Sequence, residues 1–218
     1  MIFGNKETFA IECEIGPKVE GSTLIFGNFL LWAGGTPIGN FDEGEVLTIP
    51  AQALYNSCAI EGQFVDASLS DLSEESLLDY LQNVLYGMQG SGLYAIPTWI
   101  KQKLDTQDRS PPRNSRQTHE NGTEKVESRR TDEVKNAWNK YSKFHITYGA
   151  GELFDDWFVI RLDEPNRERL IWRKMKDGGD AAVYQVELQP NEFSNVVRTF
   201  LEWFRSQTGW EAKPRAKG

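Results

Sequence analysis

Near the C-terminal end of the chain, apolar side chains recur at the spacing of a single buried helical face. They are Phe193, Val196, Val197, Phe200 and Phe204, which follow the i, i+3, i+4, i+7, i+11 pattern. Pro190 precedes the pattern and Gly209 follows it, as expected for residues that flank the start and the end of a helix. The sequence therefore predicts a long amphipathic helix. It needs an apolar surface to pack on, because an isolated helix of this length is marginal in water.

The segments before this helix alternate apolar and polar residues with a period of two, which is typical of β-strands. Three such segments are 157–162, 169–175 and 184–188. Turn-forming residues fill both joints, 163–166 and 177–180. The pattern predicts a β-meander that supplies the surface for the C-terminal helix.

The N-terminal part of the chain also favours strands. Residues 7–15 alternate in the same way. Residues 23–32 are apolar almost throughout, which predicts a strand that is covered on both faces or bulged at Gly27. The turn-forming segment Gly34–Pro37 is expected to end this strand.

Two helices are predicted between the two groups of strands. A short one begins at Pro50 and ends near Ile60. The second begins at Ser73, whose hydroxyl suits an N-cap, and Leu72 and Leu77 are placed as a hydrophobic staple. The apolar stripe of this second helix is Leu77, Leu78, Leu81, Val84, Leu85 and Met88.

One stretch differs in kind from the rest, because residues 106–122 contain no large apolar side chain. Such a composition cannot offset the entropy cost of ordering the backbone. We expect a flexible polar insertion at about 105–133 and a mobile tail from about residue 211. The remaining pattern predicts a single α+β domain over residues 1–218. Its sheet is mostly antiparallel with helices packed on it, and the long C-terminal helix follows the meander.

The distribution of charge says more about partners than the net charge of −8 does. Residues 1–100 hold thirteen carboxylates and two lysines, a balance of −11, whereas residues 101–143 have a balance of +4. An acidic half repels nucleic acid and anionic membranes and attracts a basic partner. No apolar run approaches the roughly 20 residues of a membrane span, and no signal peptide is evident. Cys13 and Cys58 fit reduced core thiols, so we expect a cytoplasmic protein.

Residues that carry catalysis are sparse. His119 lies in the polar insertion and His145 in a predicted strand over 143–148, where a structural role is the more common one. The adjacent acids Asp155 and Asp156 would point to opposite faces of a strand. The glycines of 87–92 lack the Lys-Ser/Thr that completes a phosphate loop. The cations Arg167, Arg169, Arg173, Lys174 and Lys176 alternate with carboxylates, which predicts an exposed hairpin surface. The sequence therefore predicts no enzyme, no cofactor and no metal site.

The opening Met1-Ile2-Phe3-Gly4-Asn5-Lys6-Glu7-Thr8-Phe9-Ala10-Ile11-Glu12 resembles the start of the immunity protein 42 family of bacterial polymorphic-toxin systems. The resemblance continues through Phe26-Gly27-Asn28-Phe29 and Gly34-Gly35-Thr36-Pro37-Ile38-Gly39. It implies a cytoplasmic antitoxin that protects its producer by binding the enzymatic domain of a cognate secreted toxin. A basic nuclease is one class of toxin that an acidic inhibitor suits.

Under this interpretation the partner-binding candidates are acidic residues of the first half, namely Asp42, Glu43, Glu45, Glu61, Asp66 and Asp71. An ordinary solvated surface explains any one of them equally well. The alternative function is a non-catalytic adaptor or scaffold in a bacterial secretion or regulatory assembly. A third interpretation, a hydrolase that uses carboxylates, requires two acids converging in an apolar pocket.

Overall fold

The computed structural model describes residues 1–60, 62–87, 136–175 and 182–214. Contacts divide the chain into two compact units, Met1–Leu78 with Lys143–Gly218, and Asp79–Ser142. The single-domain organisation therefore stays a prediction. The insertion at 105–133 lies outside the described residues, and so do residues 215–218 of the predicted tail.

The first unit contains a five-stranded antiparallel sheet, which we call the first sheet. Its strands are β1 (Ile2–Gly4), β2 (Phe9–Ile15), β3 (Phe26–Ala33), β4 (Thr36–Ile38) and β5 (Glu45–Val46). Their order is β1-β2-β3-β4, and β5 pairs with β3 beside β4. The two long strands were predicted from their pattern, whereas β1 was missed. The predicted break at 34–37 is only partly right, because a turn occupies residues 34 and 35 and the chain then enters β4.

The predicted meander is confirmed as a second, three-stranded antiparallel sheet in the order β6-β7-β8. Its strands are β6 (Trp157–Glu164), β7 (Arg167–Lys174) and β8 (Tyr184–Leu188). The predicted joint at 177–180 lies outside the described residues. The middle residues of β6 and of β7 are buried on both faces of the sheet. Buried and exposed side chains therefore do not alternate along these strands.

Three of the helices described here begin close to their predicted positions, whereas α2 was not predicted. They are α1 (Thr48–Ala59), α2 (Ala67–Ser70), α3 (Glu74–Gln82) and α4 (Glu192–Thr208). Ser73 caps α3 as predicted, because its Oγ accepts the N–H of Ser76 at 3.3 Å. The predicted stripe of α3 is buried from Leu77 through Leu85, and Met88 lies outside the described residues.

The second unit holds the end of α3, a π-helical turn (Asn83–Gly87) and helical residues 136–141. Two edge-to-face aromatic pairs pack within this unit. Tyr80 and Tyr141 have ring centroids 5.5 Å apart, and Tyr86 and Trp138 have centroids 6.2 Å apart.

The C-terminal helix packs chiefly on the first sheet, although we expected the meander to supply its surface. Phe193 stacks on Phe9 at 4.6 Å, and Phe200 lies 5.7 Å from Phe3 and 5.6 Å from Phe29. In a strand, alternate side chains share a face, so odd-numbered residues of β1, β2 and β3 face the helix. The even-numbered residues of these strands form the opposite side, which we call the outer face.

Candidate interaction surface

Three of the predicted acidic residues lie together at one end of the first sheet. Asp42 and Glu43 are exposed in the turn before β5, and Glu45 is half-buried within that strand. The Oε1 atom of Glu45 accepts the N–H of Val46 at 2.7 Å, which orients the side chain. Strand β5 pairs with β3, where Glu45 lies opposite Gly27. We call Asp42, Glu43 and Glu45 the acidic turn.

The acidic turn adjoins a second group of carboxylates. A Cβ atom placed on Gly151, whose φ is +110°, would lie 2.4 Å from Oε2 of Glu45, so the two segments are in close contact. Glycine is needed there both for the space and for the positive φ. Glu152, Asp155 and Asp156 follow in this segment and are exposed. The fold therefore concentrates negative charge at this end of the first sheet.

Two other predicted acidic residues, Asp66 and Asp71, lie at the two ends of α2. Asp66 caps this short helix, and its Oδ1 accepts bonds from the N–H of Ser68 at 3.0 Å and the hydroxyl of Ser68 at 2.5 Å. This local role accounts for an acid at that position without any role in toxin binding. Asp71 is exposed just after α2, and Glu61 lies outside the described residues. A role for any of these residues in binding stays a prediction.

Exposed apolar side chains, which the sequence did not identify, lie beside the acidic turn. Leu24 is 51%, Phe26 39% and Ile49 41% exposed. Phe26 lies opposite Val46 in the register of β3 and β5, and the N–H of Leu47 donates to the carbonyl of Ile25 at 2.8 Å. These bonds hold the start of β3 against the segment that leads into α1. We expected this strand to be covered on both faces or bulged at Gly27, but Leu24 and Phe26 at its start are exposed to solvent.

A compensated cluster occupies the other end of the outer face. Lys6 Nζ lies 2.7 Å from Glu12 Oε2 and 3.9 Å from the ring centroid of Trp32. The indole N–H of Trp32 donates to the same Glu12 oxygen at 2.8 Å. The hydrogen bond from Lys6 is the main reason that the pKa of Glu12 is lowered. Lys6 is thus engaged locally, and it does little to offset the carboxylates at the acidic turn.

The predicted exposed cationic hairpin is wrong at its centre. Arg169 is buried, and its Nε lies 2.8 Å from Glu164 Oε1. Arg167 and Arg173 are half-exposed, Lys174 is exposed, and Lys176 lies outside the described residues. Alternation of charges along a strand does not reveal that a partner on the neighbouring strand allows burial.

A buried ion network joins the meander to the start of α4. The guanidinium of Arg161, 1% exposed, donates to both carboxylate oxygens of Asp163 at 2.8 and 3.2 Å and to Glu168 at 2.9 Å. It also lies between two aromatic rings, with its Cζ 4.6 Å from the centroid of Phe64 and 4.7 Å from that of Phe193. The network fixes the register of β6 and β7 and serves the fold.

The predicted strand around His145 is a single β-bridge to Ile160 that follows a 3₁₀ turn (Ser142–Phe144). The imidazole is buried, its Nε2 lies 3.0 Å from Thr147 Oγ1, and its ring packs 4.5 Å from Phe158. Burial lowers the pKa of His145 from 6.5 to about 4, because the charged form loses its hydration. This environment is that of a structural histidine.

Buried His145 predicts a loss of stability in mild acid. Since the unfolded chain binds the proton near pH 6.5 and the folded chain only near pH 4, stability falls as the pH drops through this window. The total loss from this group is about 3 kcal/mol. Urea unfolding at pH 7.5 and pH 4.5 is expected to show a smaller drop for His145→Gln than for the wild-type chain. An equal drop in both proteins would contradict the assignment.

An open groove of about 370 Å³ lies on the other side of the first sheet, between α1, α4 and the C-terminal segment. The side-chain amide of Gln52 holds this segment by two hydrogen bonds of 2.9 Å to the backbone of Lys213. The charges that line the groove are balanced, with Arg198 and Arg205 against Glu202 and Glu211. The groove therefore lacks the charge excess of the acidic turn.

No helix among the described residues is both long and apolar enough to span a bilayer. Within the same residues, no group of three or more His, Cys, Asp or Glu side chains is arranged to hold a metal ion. Cys13 and Cys58 are not joined by a disulfide, and burial raises the pKa of the Cys13 thiol to about 12.

Comparison with known proteins gives one match to a family and one to a solved structure. The model of the family described as Immunity protein 42 matches residues 1–203. The crystal structure of CdiI from Burkholderia dolosa AUO158 is similar in fold, with a TM-score of 0.57 and 18% sequence identity. The similarity covers 93% of this chain and 99% of that chain. A search of curated proteins gave no match.

Proposed function

The chain belongs to the immunity protein 42 family and is an immunity protein that neutralises a secreted toxin, and we propose that it acts by binding the toxin's enzymatic domain directly. In this proposal the chain is a stoichiometric inhibitor that catalyses no reaction itself. Its complex forms in the cytoplasm, where a toxin that enters the cell would act. The family assignment is the observation that carries the proposal.

The distribution of charge supports a basic toxin domain as the partner. Asp42 and Glu43 are exposed, and neither forms an ion pair with any residue in the described ranges. Carboxylates concentrated at one end of a sheet raise the rate of association with a basic surface. Nucleases carry such surfaces because their substrate is a polyanion. We therefore propose a nuclease domain as the toxin's enzymatic class.

Charge reversal at the acidic turn tests this proposal. The double variant Asp42→Lys/Glu43→Lys is expected to associate with the toxin domain about tenfold more slowly at low salt, since it removes the steering charge. Its association rate should also depend less on salt concentration. Surface plasmon resonance with a catalytically inactive toxin domain, made from the neighbouring gene, measures both quantities.

The matched control is Glu202→Lys/Glu211→Lys, which changes the net charge equally but at the groove between α1 and α4. Its association rate is expected to stay within about twofold of the wild-type value, because it lies on the other side of the sheet. If both double variants behave alike, the acidic turn has no special role. If the chain protects cells yet forms no complex with the toxin domain, direct binding itself is wrong.

A further inference from the structure

The outer face of the first sheet is uncovered at one end, and its open positions follow a strand period. Phe26 and Asn28 alternate with Gly27 and Phe29 at the start of β3. Leu24 continues the alternation just before the strand, where the carbonyl of Ile25 accepts the N–H of Leu47 at 2.8 Å. Phe29 faces α4, where it packs against Phe200 at 5.6 Å. The even-numbered residues therefore point the other way. Leu24 and Phe26 are exposed on that side, although a core strand normally buries such side chains.

Backbone pairing places a carboxylate on the same face as these apolar side chains, and two more lie in a neighbouring turn. Glu14 lies opposite Asn28 in the register of β2 and β3, and it is exposed. Val46 lies opposite Phe26 on the other flank, and Glu45, which pairs with Gly27, points to the helix side. The exposed acids Asp42 and Glu43 lie in the turn before this strand. Phe26 thus has Glu14 diagonal to it on one neighbouring strand and the turn of Asp42 and Glu43 at the start of the other. An apolar centre with a charged rim is the usual composition of a protein interface.

We propose that the outer face around Phe26 is the docking surface for a basic protein surface on the toxin's enzymatic domain, with Phe26 as the apolar anchor. This inference rests on the proposed function and adds the location and the anchor to it. Leu24 widens the apolar centre, while Glu14, Asp42 and Glu43 provide the rim. In this arrangement the rim sets the association rate and the buried anchor sets the lifetime of the complex.

Charge favours this partner over the other occupants of an open sheet face. A second copy of the chain, bound face to face about a twofold axis, would bring each Glu14 and acidic turn close to the equivalent acids of its mate. A nucleic acid would meet the same carboxylates with its phosphates. A basic protein surface is attracted to the rim and also covers the apolar centre.

The test compares Phe26→Ser with Tyr184→Ser, an exposed aromatic residue of β8 in the other sheet. Phe26→Ser is expected to weaken binding of the inactive toxin domain by about tenfold or more, mainly through faster dissociation. Tyr184→Ser is expected to change binding by less than about threefold. Thermal unfolding of each free variant verifies that the chain still folds.

Glu14→Lys provides a second measurement that does not depend on the apolar side chain. It is expected to slow association by about threefold or more at low salt, with Glu202→Lys on α4 as the matched reversal. The surface assignment is overturned if folded Phe26→Ser and Glu14→Lys both bind like the wild-type chain. It is also overturned if Phe26→Ser converts a dimer to a monomer while toxin binding is unchanged. In either case the wild-type chain would still bind the toxin domain, so the proposed function would stand.

Discussion

Replacing Glu168 by alanine is expected to lower the free energy of unfolding by about 3 to 5 kcal/mol, because it removes one partner from a buried ion network. Glu168 is 3% exposed in β7, and its Oε1 accepts a bond from Arg161 Nη2 at 2.9 Å. Without this carboxylate, Arg161 keeps only Asp163 as an anionic partner and loses part of its compensation. A loss of this size is a large share of the roughly 5 to 15 kcal/mol that stabilises a typical domain.

The second cost of this substitution falls on the start of α4. The N–H groups of Asn191 and Phe193 donate to Glu168 at 2.8 and 3.1 Å, whereas the N-cap side chain of Asn191 makes no capping bond. The first N–H groups of a helix have no partner within the helix, and here Glu168 of β7 caps α4. Its loss leaves the buried N–H of Phe193 unsatisfied.

The matched variants separate charge from hydrogen bonding. Burial raises the pKa of Glu168, so a neutral side chain of the same shape is tolerated better than alanine. Glu168→Gln is therefore expected to cost about half as much as Glu168→Ala, because its amide oxygen still accepts a helix N–H. Glu187→Ala, at an exposed ion pair with Arg167, is expected to cost less than about 1 kcal/mol. Urea unfolding at pH 7.5 measures all three, and equal costs would refute the network.

Strongly periodic segments could be predicted from the sequence because the spacing of their apolar residues alone indicates the type of element. The stripe of α4 has five apolar positions on one face, and that face packs chiefly on the first sheet. The short strands could not be predicted in this way. β1 has only three residues and β4 contains Pro37, which is tolerated because β4 lies at the end of the sheet order.

The buried charges could not be predicted because alternation along a strand does not show which charged residues the fold covers. Arg161 and Glu168 lie seven residues apart across the predicted hairpin, but the N–H groups that also bind Glu168 come from residues 191 and 193. A pattern of alternating charges predicts a solvated strand unless such partners are known. The meander was therefore predicted correctly as a sheet, but the burial of its charged side chains was not predicted.

The candidate interaction surface was also predicted only in part. The acidic bias of the first half was visible in the sequence, and the structure brings Asp42, Glu43 and Glu45 to one turn. The exposure of Phe26 was not visible, because an apolar strand start is normally read as core. The alternation of Leu24 and Phe26 with Gly27 and Phe29 was visible in the sequence. It shows that Phe26 lies on the open face only once α4 is known to pack on the face of Gly27 and Phe29.

Two phenylalanines of β3 are therefore expected to behave in opposite ways. Phe29 is fully buried on the inner side, with its ring 5.6 Å from Phe200 and 6.1 Å from Phe154. Phe29→Ala is expected to lower the free energy of unfolding by about 3 to 5 kcal/mol, because the rigid surroundings cannot fill the cavity. Phe26→Ser lies on the open side and is expected to change the same quantity by less than about 1 kcal/mol.

The effects on protection differ in mechanism as well as in size. Phe29→Ala is expected to reduce protection of cells by lowering the amount of folded chain, since a loss of a few kcal/mol exposes a protein to degradation. The folded fraction of Phe29→Ala should still bind the toxin domain with wild-type dissociation kinetics, because the anchor is retained. Phe26→Ser should show the reverse, with normal abundance and fast dissociation. Both variants are to be compared by urea unfolding, by cellular abundance and by the dissociation rate of the toxin complex. These measurements distinguish a loss of stability from a loss of binding. If Phe26→Ser unfolds as readily as Phe29→Ala, the outer face belongs to the core and does not bind a partner.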